Sequence, residues 1–249
     1  MAHVARINLT PVKGLGLQHP GSVELTENGV EENRRFYLTS GGLLFNGKDH
    51  GPLVRIAPSV ENGQLTLRFP GGAEVAGAVQ LGAPVETNFW GRPVLGRIVE
   101  GPWSAALSDY AGAAVQLVRT DTPGTGVDVH AGTIVSRASC DRLGLELGAA
   151  VDARRFRMLL ELDGLEAHDE DTWDGLRVRA GEAIVRIHGP VPRCAVTTQD
   201  PDTGVVTLDT LRAIRTYRGL RDGKQIDFGV YFEVKQPGRV RIGDPVQLV

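Results

Sequence analysis

The sequence predicts a β-rich α+β fold. Three observations predict it. Glycine and proline, 32 and 14 of 249 residues, punctuate the whole chain; the apolar runs between them are short, and several alternate with the two-residue period of a strand; only two segments repeat at helical spacing. A chain of this length buries a substantial core without metal or disulfide staples, as one large unit or two small packed domains. With 41% hydrophobic and 23% charged residues, its composition excludes global disorder.

In chain order, Arg34-Arg35-Phe36-Tyr37-Leu38 ahead of Gly41-Gly42 reads as a strand. Leu65, Leu67 and Phe69 alternate and would share one face, with Glu61-Asn62-Gly63 supplying a hairpin turn before them. Trp103, Ala106, Leu107 and Tyr110 recur at helical spacing, so a short helix is expected over 102–111, with Pro102 in its first turn and Gly112 ending it. A strand resumes at 115–118. The following 121–132, rich in Gly, Thr and Asp, is expected to be a flexible loop near the junction of two domains, 1–118 and 119–249. Residues 156–162 and 182–188 read as strands, the second with Ala183, Val185 and Ile187 alternating. Pro190 and Pro192 cannot donate to a ladder, which puts Cys194 on or just after a loop. Leu208, Leu211 and Ile214 mark a helix to about Tyr217, with Thr207 as its cap, and the tail alternates again through Val230, Phe232 and Val234. Trp103 and Trp173, among apolar neighbours, are expected in the core.

The formal charge of -3 argues against general nucleic-acid binding. No apolar run approaches the roughly 18 residues of a membrane span and the first residues lack a signal-peptide core, so a cytoplasmic protein with no membrane association is expected. Phosphate-loop, GxSxG and HExxH motifs are missing, and the six histidines show no i, i+4 pair, so a zinc site is not expected. The segment that stands out is Gly189-Pro190-Val191-Pro192-Arg193-Cys194-Ala195-Val196-Thr197-Thr198, followed by a turn at Asp200-Pro201-Asp202-Thr203-Gly204. A thiol after a rigid proline loop and beside an arginine is a soft metal ligand or a nucleophile, with His188 as a possible base. On residue type alone a buried structural cysteine is the commoner reading for such a residue, one that fits Cys140 better still, and a Cys140 to Cys194 disulfide is a third option.

The phrase GPVPRCAVTTQDPDTG resembles the MOSC family, named for the C-terminal domain of molybdenum cofactor sulfurase, and within it the mitochondrial amidoxime-reducing components and their bacterial relatives. Pro11-Val12-Lys13, Asn33-Arg34-Arg35-Phe36, Arg155-Phe156-Arg157 and Asp169-Glu170-Asp171-Thr172-Trp173 agree in order, so the likeness spans nearly the whole chain. It implies an N-terminal MOSC-type β domain packed on a C-terminal MOSC β-barrel with short helices, and a cleft between them. It implies a molybdenum cofactor of the molybdopterin type, not pyridoxal phosphate, with Cys194 as metal ligand and catalytic centre. Lys13, Arg35, Ser136, Arg137 and Arg157 are the implied holders of its phosphate and pterin, and Arg34, Ser139 and Thr197 would orient the cofactor or the thiolate by hydrogen bonds. The implied activity is reduction of N-hydroxylated or similar N-oxygenated small molecules. With no iron-sulfur domain expected beyond Val249, electrons would come from a separate donor: a ferredoxin, a cytochrome b5-like protein or a flavoprotein reductase. A carrier or maturation protein for the cofactor, or for sulfur, is the alternative. Two departures stand out: Leu159 where relatives often carry an amide, and Gly14 where they often carry serine.

Overall fold

A computed structural model describes residues 1–249. The first half runs β1 (His3–Ile7), β2 (Ser22–Leu25), β3 (Phe36–Ser40), β4 (Leu43–Phe45), β5 (Ala57–Glu61), β6 (Gln64–Arg68), β7 (Glu74–Ala78), β8 (Gln80–Phe89), β9 (Arg92–Glu100), α1 (Trp103–Ala111) and β10 (Gln116–Thr120). The second runs β11 (Gly132–Ser136), α2 (Arg137–Leu147), β12 (Leu160–Asp163), β13 (Arg177–Ala180), β14 (Ala183–Pro192), α3 (Thr210–Arg218), β15 (Asp227–Gln236), β16 (Gly238–Arg241) and β17 (Val246–Leu248). The fold is therefore the β-rich α+β arrangement that the residue pattern predicts. No helix is long and apolar enough to cross a membrane.

The larger sheet has seven strands in the order β1-β12-β11-β15-β14-β13-β17. Its two edges meet: Val246 N donates to Ala2 O at 2.9 Å and Gly243 N to Val4 O at 2.8 Å, so the sheet curls into a nearly closed barrel. Apolar side chains such as Ile7, Ile134, Leu160, Val185 and Phe232 alternate into its interior and are buried. Two strands of the first half cross the division at residue 118: β1 pairs with β12 and β2 pairs with β16. The rest of the first half forms a five-stranded sheet, β4-β3-β10-β9-β8, and a three-stranded one, β5-β6-β7, packed around Trp103 and Leu107 of α1.

Local chemistry explains most elements. Asn62 and Gly63 both take positive φ, 51° and 76°, as a tight hairpin between β5 and β6 requires. Gly112 at φ 65° ends α1 as expected. Pro190 and Pro192 lie within β14, with register shifts before each, and Cys194 sits two residues past its end, outside any strand as expected. Two expectations need correction, and one helix goes unannounced. Residues 156–162 are not one strand: a 3-10 turn, Ala153–Phe156, precedes Arg157 in the left-handed region at φ 53°, and β12 begins only at Leu160. The cap of α3 is Asp209, whose carboxylate accepts from Arg212 N, while the Thr207 hydroxyl serves Arg155. Helix α2, which no apolar periodicity announces, is capped by Ser136 and ended by Gly148 at φ 65°.

Candidate active site

The two halves enclose a solvent-open cleft of about 1060 Å³. One wall comes from the segments after β1, before β3 and at the β8–β9 turn. The other comes from the entry to β11, the 3-10 turn with its exit, and the segment carrying Cys194.

Cys194 is placed by its backbone. Arg193 N donates to Ile226 O at 2.7 Å, and Cys194 O accepts from both Thr197 N at 3.1 Å and Thr197 Oγ1 at 3.0 Å. Thr197 is itself buried and its hydroxyl lies 2.9 Å from that of Thr210 in α3. The backbone is thus fixed on both sides while the side chain is exposed in the cleft wall as a free thiol. Cys140 is also free but buried between α2 and the barrel, so no disulfide joins the two.

Around this thiol the cleft gathers cations. Arg34 and Arg157 both adopt positive φ, 55° and 53°, and Arg34 Nη2 donates to Arg157 O at 3.1 Å. Arg157 Nη2 donates to Leu15 O at 2.6 Å. Arg193 donates to Phe156 O at 2.5 Å, yet its buried Nε has no partner. Lys13, 7% exposed, donates to Asp128 Oδ1 at 2.5 Å and to Gly126 O at 3.1 Å. Burial is the main cause that lowers the Lys13 pKa to about 8, with Arg34 and Arg157 adding to it against the pull of Asp128. Burial and then Arg34 bring Arg157 down to about 9. Burial alone would raise the Asp128 carboxyl, but Lys13 and Arg34 together hold it well below the usual carboxylate range. Positive charge therefore exceeds negative in a desolvated space, an arrangement suited to a polyanion.

Among the residues singled out in the sequence, Lys13, Arg34, Arg157, Cys194 and Thr197 line the cleft together. Four do not. Arg35 lies on the opposite side of the chain from Arg34, where its guanidinium bonds Thr120 O and Oγ1 at 2.5 and 2.7 Å between β3 and β10. Ser136 and Ser139 are buried against Glu170: Oε1 accepts from Ser136 N at 3.0 Å and Ser139 Oγ at 2.8 Å. Arg137 faces outward toward Glu161 and Asp163 at 3.9 and 3.6 Å. The swap of Arg34 for Arg35 has a local cause. Arg34 N donates to Thr10 O and Phe36 N to Pro11 O, which zips residues 10–13 onto this segment, and the left-handed turn at Arg34 sends its side chain into the cleft. Residue reasoning misses Asp128, Arg155, His130, Trp90 and Tyr231, all on the cleft wall. Asp128 and His130 lie in the stretch that reads only as a loop, and Arg193 stands out in the sequence only as a neighbour of the thiol.

A profile for the MOSC domain matches residues 121–247, and one for the MOSC N-terminal beta barrel domain matches 1–110. The chain belongs to the MOSC family. Among MOSC relatives, mitochondrial amidoxime reducing component 2 of Rattus norvegicus is 26% identical over 98% of this chain and 82% of its own length. Mitochondrial amidoxime-reducing component 1 of Homo sapiens is 35% identical, over 47% of this chain; that match spans only 36% of the human protein. Among solved structures, the YUAD protein of Bacillus subtilis aligns over 99% of this chain and 94% of its own at 12% identity, with a TM-score of 0.48.

Proposed function

We propose that this MOSC protein is a molybdenum-cofactor-dependent oxidoreductase that reduces N-hydroxylated or similarly N-oxygenated small molecules, with Cys194 as the metal's protein ligand. One observation carries the reading: the single exposed cysteine stands in the wall of a cleft whose charge is strongly cationic. The residues fit such a group. An exposed thiolate is a soft ligand of the kind molybdenum takes, and the partnerless Nε of Arg193 is a buried donor left over by the protein's own bonds. Lys13, Arg34, Arg157 and Arg193 would hold its anionic phosphate and pterin, guanidinium being matched to phosphate oxygens. When bound, the group supplies a two-electron centre able to accept an oxygen atom. The protein's part is to fix that centre and the substrate, and to offset negative charge with cations already in place. Thr197 holds the Cys194 backbone in the presented conformation.

Ser136, Arg137, Ser139 and Arg35 are given no cofactor role in this reading, since their partners lie elsewhere. Electrons are proposed to come from a separate redox protein, of ferredoxin, cytochrome b5-like or flavoprotein type, and similarity to the amidoxime-reducing components supports the substrate class.

The test is protein made in a host that synthesises the cofactor. Cys194→Ala should lose bound molybdenum and turnover of benzamidoxime with a chemical reductant. Full occupancy and activity in that variant would overturn the assignment, and metal-loaded wild-type protein without turnover would favour a carrier instead.

A further inference from the structure

Two hairpins of the first half share one turn geometry and differ in one residue. Asn62-Gly63 joins β5 to β6 with φ of 51° and 76°, and Trp90-Gly91 joins β8 to β9 with φ of 51° and 93°. In each, the flanking residues pair directly, Glu61 with Gln64 and Phe89 with Arg92. Such a two-residue turn needs positive φ at both positions, which asparagine tolerates and a bulky side chain does not favour. Burial does not offset that strain, because Trp90 is 58% exposed while Trp103 and Trp173, at 1% and 8%, lie in the two main cores. A tryptophan with neither a favourable turn position nor a place in a core has its reason outside the fold.

Trp90 lines the cleft. Its turn is pinned there: Arg92 Nη2 donates to Thr125 O at 3.0 Å and to Val127 O at 2.7 Å, which ties the hairpin to the segment carrying Asp128, and Gly91 N donates to Asn88 Oδ1 at 2.6 Å. The indole is steadied from one side. Lys13 Nζ lies 5.3 Å from its centroid, and the Phe89 ring meets it at 5.8 Å with planes 73° apart. Across this contact the wall changes character. Lys13 is 7% exposed and belongs to the buried cations proposed to hold the cofactor, whereas Trp90 beside it stands open to whatever enters from solvent. A fixed, solvent-open indole is a surface for a flat group, which packs on it offset or edge-on as both leave water.

We propose that Trp90 selects among substrates by stacking on a planar aryl group carried next to the N-hydroxyl function, so that aryl amidoximes are preferred to alkyl ones. The inference rests on the reductase reading and narrows its substrate class. Stacking at the rim is made in the bound ground state and in the transition state alike, so its loss is felt in KM and not in the chemical step.

The experiment compares molybdenum-loaded wild-type protein with Trp90→Asn and Trp90→Phe, using benzamidoxime or acetamidoxime and reduced methyl viologen, a small donor that needs no protein docking surface. Trp90→Asn gives the turn the residue its geometry favours, so its melting temperature should match or exceed that of wild type. In that variant KM for benzamidoxime should rise about fivefold with kcat nearly constant, KM for acetamidoxime should move far less, and Trp90→Phe should fall between. Fluorescence reads binding without turnover. Because the other two tryptophans are buried, acrylamide quenches Trp90 alone, and benzamidoxime added to oxidised, loaded wild type should shield it while acetamidoxime does not. Equal KM shifts for the two amidoximes in Trp90→Asn, or no shift for either, would overturn the proposal alone. An indole already shielded in the loaded protein before substrate is added would overturn it too, and would assign Trp90 to the cofactor's pterin. Loaded wild-type protein with no turnover would overturn the reductase reading and the proposal together.

Discussion

Two buried polar networks lie in this molecule, and they are built on opposite accounts of charge. Around Glu170 one carboxylate meets neutral donors, Ser136 N and Ser139 Oγ, both on Oε1, while its buried Oε2 has no partner; the hydroxyl of Ser139 also accepts from His168 N. Burial raises the Glu170 pKa in spite of those bonds, and the network ties the 3-10 segment Asp169–Trp173 to the start of α2. In the cleft, by contrast, Lys13, Arg34, Arg157 and Arg193 meet the single carboxylate of Asp128, and Arg193 Nε is left without a partner. Each network leaves one buried atom without a partner; what sets the cleft apart is its excess of cations, which an anion from outside would balance.

Substitutions can break that comparison. The largest effect is expected at Glu170, where Glu170→Ala should destabilise the protein by about 3 kcal/mol, read by denaturant unfolding, because two buried donors lose a charged acceptor. Stability unchanged by that substitution would show that the Glu170 network is not structural. Arg157→Ala should act the other way round: binding of inorganic pyrophosphate, measured by calorimetry, should weaken about tenfold, while the melting temperature holds or rises as crowding among cations is relieved. Adjacent arginines sharpen the contrast. Arg35→Ala should cost about 1 to 2 kcal/mol of stability with pyrophosphate affinity unchanged, through its lost bonds to Thr120, and Arg34→Ala should do the reverse.

The smallest effect is a pH dependence. Folding takes the Lys13 pKa from 10.5 down to about 8, so keeping this lysine charged opposes folding. That opposition is fully present below about 8 and disappears as pH rises past 10.5. A bound polyanion favours the charged lysine. Pyrophosphate binding between those values should therefore take up protons, and its affinity should fall as pH rises through the window. Calorimetry in buffers of different ionisation enthalpy reads the uptake, and Lys13→Met should abolish it.

Much of the cleft is legible in the sequence because Cys194, Lys13 and Arg157 sit in short phrases whose proline and aromatic neighbours constrain them. The fold class is legible because alternation and glycine punctuation reflect the barrel and the smaller sheets directly. The choice between Arg34 and Arg35 is not, since it turns on one left-handed backbone angle set by pairing with residues 10–13. Nor is the role of Ser136 and Ser139. Their phrase opens a helix whose buried face, Ser139, Cys140 and Leu143, is too short and too polar to show a helical period. Asp128 and His130 are hidden for a different reason: a loop has no periodicity to read, and only tertiary contact gives its residues a task.

The seam of the barrel joins residues near opposite ends of the sequence, with Val246 bonded to Ala2 and Gly243 to Val4. A ribosome releases those partners far apart in time, so the first strand must wait, unpaired on that side, until almost the entire chain has emerged. Closure then comes late and through contacts of great sequence separation, a slow route to the native state. Cutting between the two profile matches would leave the C-terminal piece with an unguarded strand edge, a template for aggregation, and no β1 to cover it.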